Sequence, residues 1–129
     1  MTHTVIVFSD GRPATPFAPA ALSQQGTQVL FVSGQLGEGA DGELVSPDAG
    51  EQAEQCFRNI DALLTAAGAT RTDVVKLGMF MTDLVSDRAA VAAARTAYFG
   101  DHIPASTAYQ VAGLVIPDAR VEVEAIAVF

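Results

Sequence analysis

One cysteine, Cys56, and two histidines, His3 and His102, are all that the 129 residues offer of the usual soft metal ligands and thiols. A lone cysteine cannot close an internal disulfide, which agrees with a reducing compartment. Cys56 falls on the apolar face of a predicted helix, where a buried, unreactive thiol is expected. His3 lies in the terminal segment and His102 in a loop beside Asp101. Neither has a second ligand at metal spacing, so both read as surface histidines and no metal is expected. Basic residues are scarce as well: seven Lys and Arg against 15 Asp and Glu leave a formal charge of −8. That balance repels phosphate backbones and anionic lipid, and no basic cluster offsets it, so neither nucleic acid nor membrane is expected as a partner. No apolar run approaches the roughly 20 residues of a helical membrane span, and Met1-Thr-His-Thr-Val5 lacks a basic n-region and signal core. A soluble, cytoplasmic protein is the expectation. There is no internal repeat and no linker, and one domain over residues 1–129 accounts for the length.

Half of the residues are hydrophobic, and their spacing lays out the chain. Thr4 to Phe8 is β-branched and predicts a strand that ends at the turn formers Ser9-Asp-Gly-Arg-Pro13. Pro13, Pro16 and Pro19 keep the next segment extended. Ala20 to Gln24 and Gln28 to Gln35 read as a hairpin about Gly26. After a glycine-rich loop, Ser46-Pro47 predicts a helix start. Ala53, Cys56, Phe57, Ile60, Leu63, Leu64 and Ala67 then share one helical face up to a stop at Gly68. Thr72 to Met81 is the next strand, and Asp83 or Ser86 can cap an alanine-rich helix that ends near Phe99-Gly100. Pro104 to Phe129 reads as two buried strands joined by a Pro-marked loop. The order β-β-β-α-β-α-β-β predicts an α+β fold with both helices on one face of a mixed sheet.

Two signals carry less than they spell. Gly37-Glu-Gly39-Ala-Asp-Gly42 matches G-x-G-x-x-G after a strand, but no helix opens at its end and three acids would repel a pyrophosphate. It is a loop. Ser33 has no His or Lys at motif spacing to make it a nucleophile. The terminal strand is more informative. In Arg120-Val-Glu-Val-Glu-Ala-Ile-Ala-Val-Phe129, Glu122 and Glu124 share one face and Val121, Val123 and Ala125 the other. A carboxylate in an otherwise apolar strand costs desolvation unless it is exposed, paired or used for chemistry.

Ser33-Gly-Gln-Leu36, Asn59-Ile60, Leu63-Leu64, Val74-Val-Lys76, Asp83-Leu84, Tyr98-Phe99, Pro104-Ala105 and Val121-Glu-Val-Glu-Ala-Ile-Ala-Val128 together resemble, in order, the Rid/YjgF family of reactive-intermediate deaminases. The resemblance covers nearly the whole chain. It implies a chorismate-mutase-like (YjgF-like) α+β fold, a homotrimer around a barrel of sheets, and small-molecule clefts between neighbouring subunits. It implies no cofactor. In this picture the acid matching Glu122 activates the water that attacks an imine carbon, and Ser33 and Gly34 contact the substrate. Such general-base work needs a carboxylate within hydrogen-bond reach of the water, in surroundings that raise its pKa.

The chain departs from the family pattern where the family holds a carboxylate. The arginine that follows the Pro-Ala pair is Ser106 here, so a guanidinium fork able to make two charge-assisted bonds becomes one neutral hydroxyl. The cleft position two residues later is Ala108, and the helix asparagine falls near Ala92. The usual Pro-Tyr-Ser-Gln run reads Pro16-Phe17-Ala18-Pro19. Phe17 is either a cleft wall or a loop anchor. Gln110 shares a strand face with Ser106 and Ala108 and is an amide contact in the cleft or a plain sheet or interface bond. Tyr109 alternates to the other face, where a core ring is the default. Arg12 is either a substitute cation or a solvated turn residue, and Glu124 a subunit contact or a solvated acid.

Three function classes follow. The first is an imine or enamine deaminase, weak on 2-imino acids because Ser106 replaces the arginine. The second is a trimeric small-molecule-binding module without deaminase chemistry. The third is a specialised hydrolase or tautomerase that takes a neutral or cationic substrate. A ribonuclease activity, also associated with the family, ranks last on charge.

Overall fold

The computed structural model describes residues 5–7, 21–23 and 28–129. Helix α1, Ala49–Ala67, forms where Ala53, Cys56, Phe57, Ile60 and Leu64 recur along one face, and all five are buried. It starts two residues later than the Ser46-Pro47 signal predicts. The Asp48 carboxylate is the cap, accepting from Glu51 N at 2.9 Å, while Ser46 Oγ accepts from Asp48 N at 3.0 Å. A carboxylate suits the positive end of the helix dipole better than a hydroxyl does. The helix stops at Gly68, whose φ of 84° lies in the left-handed region that side chains avoid. Helix α2, Leu84–Phe99, is capped by Asp83, which accepts from Ser86 N. Hydrogen bonding from the Ser86 hydroxyl, and then from its backbone N–H, holds the Asp83 carboxyl below its ordinary pKa.

The strands are β1 (Val5–Val7), β2 (Ala21–Ser23), β3 (Val29–Leu36), β4 (Val74–Met81), β5 (Ala105–Gln110) and β6 (Val121–Val128). A turn of 3-10 helix, Arg71–Asp73, leads into β4. Strands β3-β6-β4-β5 form a mixed four-stranded sheet, with β4 and β5 parallel and the other pairs antiparallel. Both helices lie on one face, α1 against β3 and β6 and α2 against β4 and β5. The core is the layer between, where Val121, Val123, Ala125 and Ala127 of β6 meet Phe57, Ile60 and Leu64 of α1.

Two predicted features differ. The expected hairpin of Ala20–Gln24 with Gln28–Gln35 does not form: β2 pairs with β1, and β3 pairs with β6. The preference has a physical basis, since β3 sets Val29, Leu30, Phe31 and Val32 opposite Val128, Ala127, Ile126 and Ala125, an unbroken run of apolar cross-strand pairs. The turn at Gly26 lies outside the described residues. Of the two terminal strands only β6 is buried, because it sits between β3 and β4, whereas β5 is a sheet edge with its last three residues exposed.

Gln52 ties the loops to this core. It is fully buried, and its amide donates to Ser46 O (2.9 Å) and Asp118 O (3.3 Å) while its oxygen accepts from Arg120 N (2.8 Å). Gln52→Leu keeps the volume but strands three backbone groups, and urea unfolding is expected to show a loss of about 3 kcal/mol. A variant as stable as the parent would mean that water replaces those bonds.

Candidate functional site

The candidate site residues fall into two groups, one on each face of the sheet. In the first, Glu122 of β6 pairs in register with Phe80 of β4 and with Leu36 of β3. The register of β3 shifts between Val32 and Gln35, so Ser33 and Gly34 form an irregularity beside β6. A Cβ added to Gly34 would fall on the Glu122 carboxylate. Glycine is therefore what lets the half-buried carboxylate lie across this strand. The structure thus sets Gly34 against Glu122, with Ser33 next to it in the irregular stretch, while Glu124 is exposed.

In the second group, α2 stands off from β4 and β5 and leaves a cavity of about 600 Å³. Ser106 and Ala108 line it, with Met79, Met81, Leu84 and Ala92 among its mostly apolar walls. Ser106 and Ala108 pair with Leu77 and Met79, both buried under the helices, which fixes their face. Gln110 is not part of the lining. Its Oε1 accepts from Leu84 N at 3.1 Å, so it serves the entry of α2 rather than the cavity. Tyr109 corrects a second expectation: instead of a core ring it is 45% exposed on the opposite face, stacked on Phe80 with centroids 5.1 Å apart. An edge strand with helices on one side leaves its other face uncovered. Since Phe80 also pairs with Glu122, the carboxylate and Ser106 lie on opposite faces of the sheet. Within one subunit they do not face the same space.

Sequence reasoning missed two cavity residues, Arg88 and Arg95. Arg95 is only 5% exposed, and its Nη2 is buried without a hydrogen-bond partner. Burial pulls its guanidinium below its ordinary pKa. Ser106 Oγ is likewise buried without a partner. The signal was available, because positions 88, 92 and 95 share a helical face and Ala92 was already placed at the cleft.

Other candidates resolve simply. Cys56 is fully buried, and its thiol is pushed up to about 12, first by burial and then by the charge of Glu122, so it stays protonated and inert at neutral pH. His102 is half-buried rather than superficial: its Nε2 donates to Val74 O at 2.7 Å, which ties the loop after α2 to β4. Among the described residues no group of three His, Cys, Asp or Glu side chains could hold a metal, and no helix is long and apolar enough to cross a membrane. Phe17 lies outside the described residues, as do His3, Arg12, Ala18 and Pro19.

Known proteins share this architecture and sequence. The family model described as Endoribonuclease L-PSP matches residues 11–129. A goat (Capra hircus) protein named 2-iminobutanoate/2-iminopropanoate deaminase is 42% identical over 121 residues, covering 89% of this chain and 87% of its own. A RutC family protein of Pyrococcus horikoshii is 33% identical over 95% of each chain. Among solved structures, a Rid-family protein of unknown function from Yersinia pestis superposes with a TM-score of 0.88 at 31% identity over the whole of both chains. RidA from an Antarctic Psychrobacter gives 0.75 at 35% identity, covering 95% of this chain and 98% of its own. With the fold and matches of this extent in agreement, the chain belongs to the Rid/YjgF family.

Proposed function

We propose that the protein hydrolyses imines or enamines with release of ammonia, in a cleft that two subunits of a homotrimer complete. The observation that carries this reading is the placement of Glu122 against Gly34 on one sheet face and of Ser106 and Ala108 on a cavity on the other. Two halves that cannot meet within a subunit can meet when the open sheet face of one copy packs beside the cavity of the next. That face is apolar enough to want a cover, with Phe31 73% exposed and Val29 54% exposed. The deaminase names of relatives of similar length support the chemistry.

The mechanism uses few groups. Glu122 accepts a proton from water as the oxygen attacks the imine carbon and passes it to the nitrogen, giving a carbinolamine. It then carries the hydroxyl's remaining proton to the nitrogen as the C–N bond breaks, so that ammonia leaves and a carbonyl remains. The apolar cavity walls limit competing water around the ligand. Ser106 supplies at most one neutral hydrogen bond where the family pattern has an arginine, so short 2-imino acids are held poorly. Arg88 and Arg95 weigh against the cationic-substrate reading, because both line the cavity that such a ligand would enter. The acidic chain, at −8, also weighs against RNA as substrate.

The test is ammonia release from imines generated in place by an amino-acid oxidase, from alanine, 2-aminobutyrate and leucine, together with light scattering. Acceleration is expected, least for the two short substrates, from a particle of about three times 13.4 kDa. No acceleration with any imine would overturn the deaminase reading. A monomer would overturn the shared cleft.

A further inference from the structure

We propose that Arg95 and Ser106 form the anion-holding end of the cavity between α2 and β5, and that its ligand is a monocarboxylate with an apolar body of several carbons. The proposal deepens the reading above and rests on it for the reactive end of the ligand. The carboxylate site itself rests on the cavity alone. One face of α2 turns Leu84, Arg88, Ala92 and Arg95 to β5 at spacings of four, four and three residues. Small side chains at Ala89, Ala92 and Ala108 leave the space open.

Two buried polar groups border that space without partners. A guanidinium taken out of water without a counter-charge is costly, and buried arginines are ordinarily paired. Arg95 is in no ion pair among the described residues, and its Nη2 has no hydrogen-bond partner. The Ser106 hydroxyl is in the same condition on the facing strand. A ligand that supplies acceptors to both removes two desolvation penalties in one step, which makes the pair a recognition device rather than a structural one.

The chemistry of the ligand follows from the donors and the walls. One guanidinium fork and one hydroxyl match the two oxygens of a carboxylate. A phosphate dianion has more charge and more acceptors than they satisfy, and the walls offer mainly Met, Leu, Val and Ala surface. That surface takes an aliphatic or thioether chain. The short serine at position 106, in place of a long arginine, also frees volume beside β5. A ligand whose anion is drawn to the α2 wall needs more carbons to fill it. Arg88, exposed on the same face, adds positive potential toward the solvent in an otherwise acidic molecule.

Binding of stable 2-oxo acids, which match 2-imino acids in shape and charge, tests this by calorimetry on the full chain. 4-Methyl-2-oxopentanoate is expected to bind at least about tenfold more tightly than the uncharged 4-methylpentanamide, through loss of a charge-assisted bond, and than pyruvate or inorganic phosphate, through loss of the apolar body. Arg95→Met should abolish that preference and raise the melting temperature, since it removes an uncompensated buried charge. A merely structural arginine would lower it. Ser106→Ala should weaken carboxylate binding by about three- to tenfold, the range of one hydrogen bond. It keeps the test decisive if Arg95→Met fails to fold. Equal affinity for the amide, tightest binding of phosphate, or full affinity in Arg95→Met or Ser106→Ala would overturn the proposal. The two readings separate cleanly: carboxylate binding without ammonia release from any imine removes the deaminase and keeps the anion site, whereas ammonia release indifferent to charge and to Arg95 does the reverse.

Discussion

Glu122→Gln is expected to lower kcat/KM for ammonia release by about 10²- to 10⁴-fold, the usual contribution of a positioned general base. The substitution is chosen for what it leaves alone. Glutamine has nearly the size of glutamate, so it can still lie across the strand at Gly34, where the absence of a Cβ makes room. It can hold a water by a hydrogen bond but cannot take its proton. Substrate binding, trimer mass and melting temperature should therefore stay near those of the parent, and the loss should appear in kcat rather than KM. Glu124→Gln is the control. It lies two residues on along the same face, but is exposed, and should change the rate little. A Glu122→Gln protein within tenfold of the parent would place the base elsewhere, and the deaminase reading built on this carboxylate would fall.

The contrast between these two acids shows how far the sequence could be read. Strict alternation from Arg120 to Ala125 put Glu122 and Glu124 on one face of a strand, and a period of two admits no other reading. The helices were plain in their buried faces and in the stop at Gly68, because the 3.6-residue spacing and a glycine end are local signals. Asp83, by contrast, was one of two caps on offer, and the Ser46-Pro47 signal put the start of α1 two residues early. What the sequence left hidden was pairing. Nothing within Ala20–Gln35 says that β3 gains more from the apolar end of β6 than from its neighbour in the chain, since the partner lies about 90 residues away. The same gap explains the site. Ser106 and Ala108 were found by matching a motif, and Gln110 was added by strand parity, which was right about its face and left its role open between a cleft contact and a plain hydrogen bond. Its amide accepts from the first turn of α2, a contact set by how the helix docks. Arg95 was missed because an arginine in an alanine-rich helix reads as solvated until the helix is seated on the sheet.

That seating makes Phe57→Ala the most damaging single change in the core, with an expected loss of about 4 kcal/mol in urea unfolding. Phe57 is 1% exposed and stands between the helices, stacked on Tyr98 with centroids 5.4 Å apart and edge-on to Phe99 at 5.7 Å. Tyr98 in turn donates its hydroxyl to Asp61 of α1 at 2.6 Å, and burial together with that bond raises its pKa. The ring therefore fixes α2 to α1 through the very turn that follows Arg95. Truncation to alanine removes the ring's transfer energy, leaves a cavity that two packed helices cannot close, and forfeits both aromatic contacts. Phe57→Leu retains most of the volume and should cost about 1.5 kcal/mol. The pair of variants also tests how the cavity is held. In Phe57→Leu the fold persists, so affinity for 4-methyl-2-oxopentanoate should stay close to the parent's. In Phe57→Ala, at a temperature where the chain is still folded, a loosened α2 should let Arg95 reach solvent and the carboxylate preference should fade. If Phe57→Ala instead unfolds at the parent's urea midpoint, α2 is held by its contacts with the sheet alone, and the aromatic cluster has no part in setting the cavity.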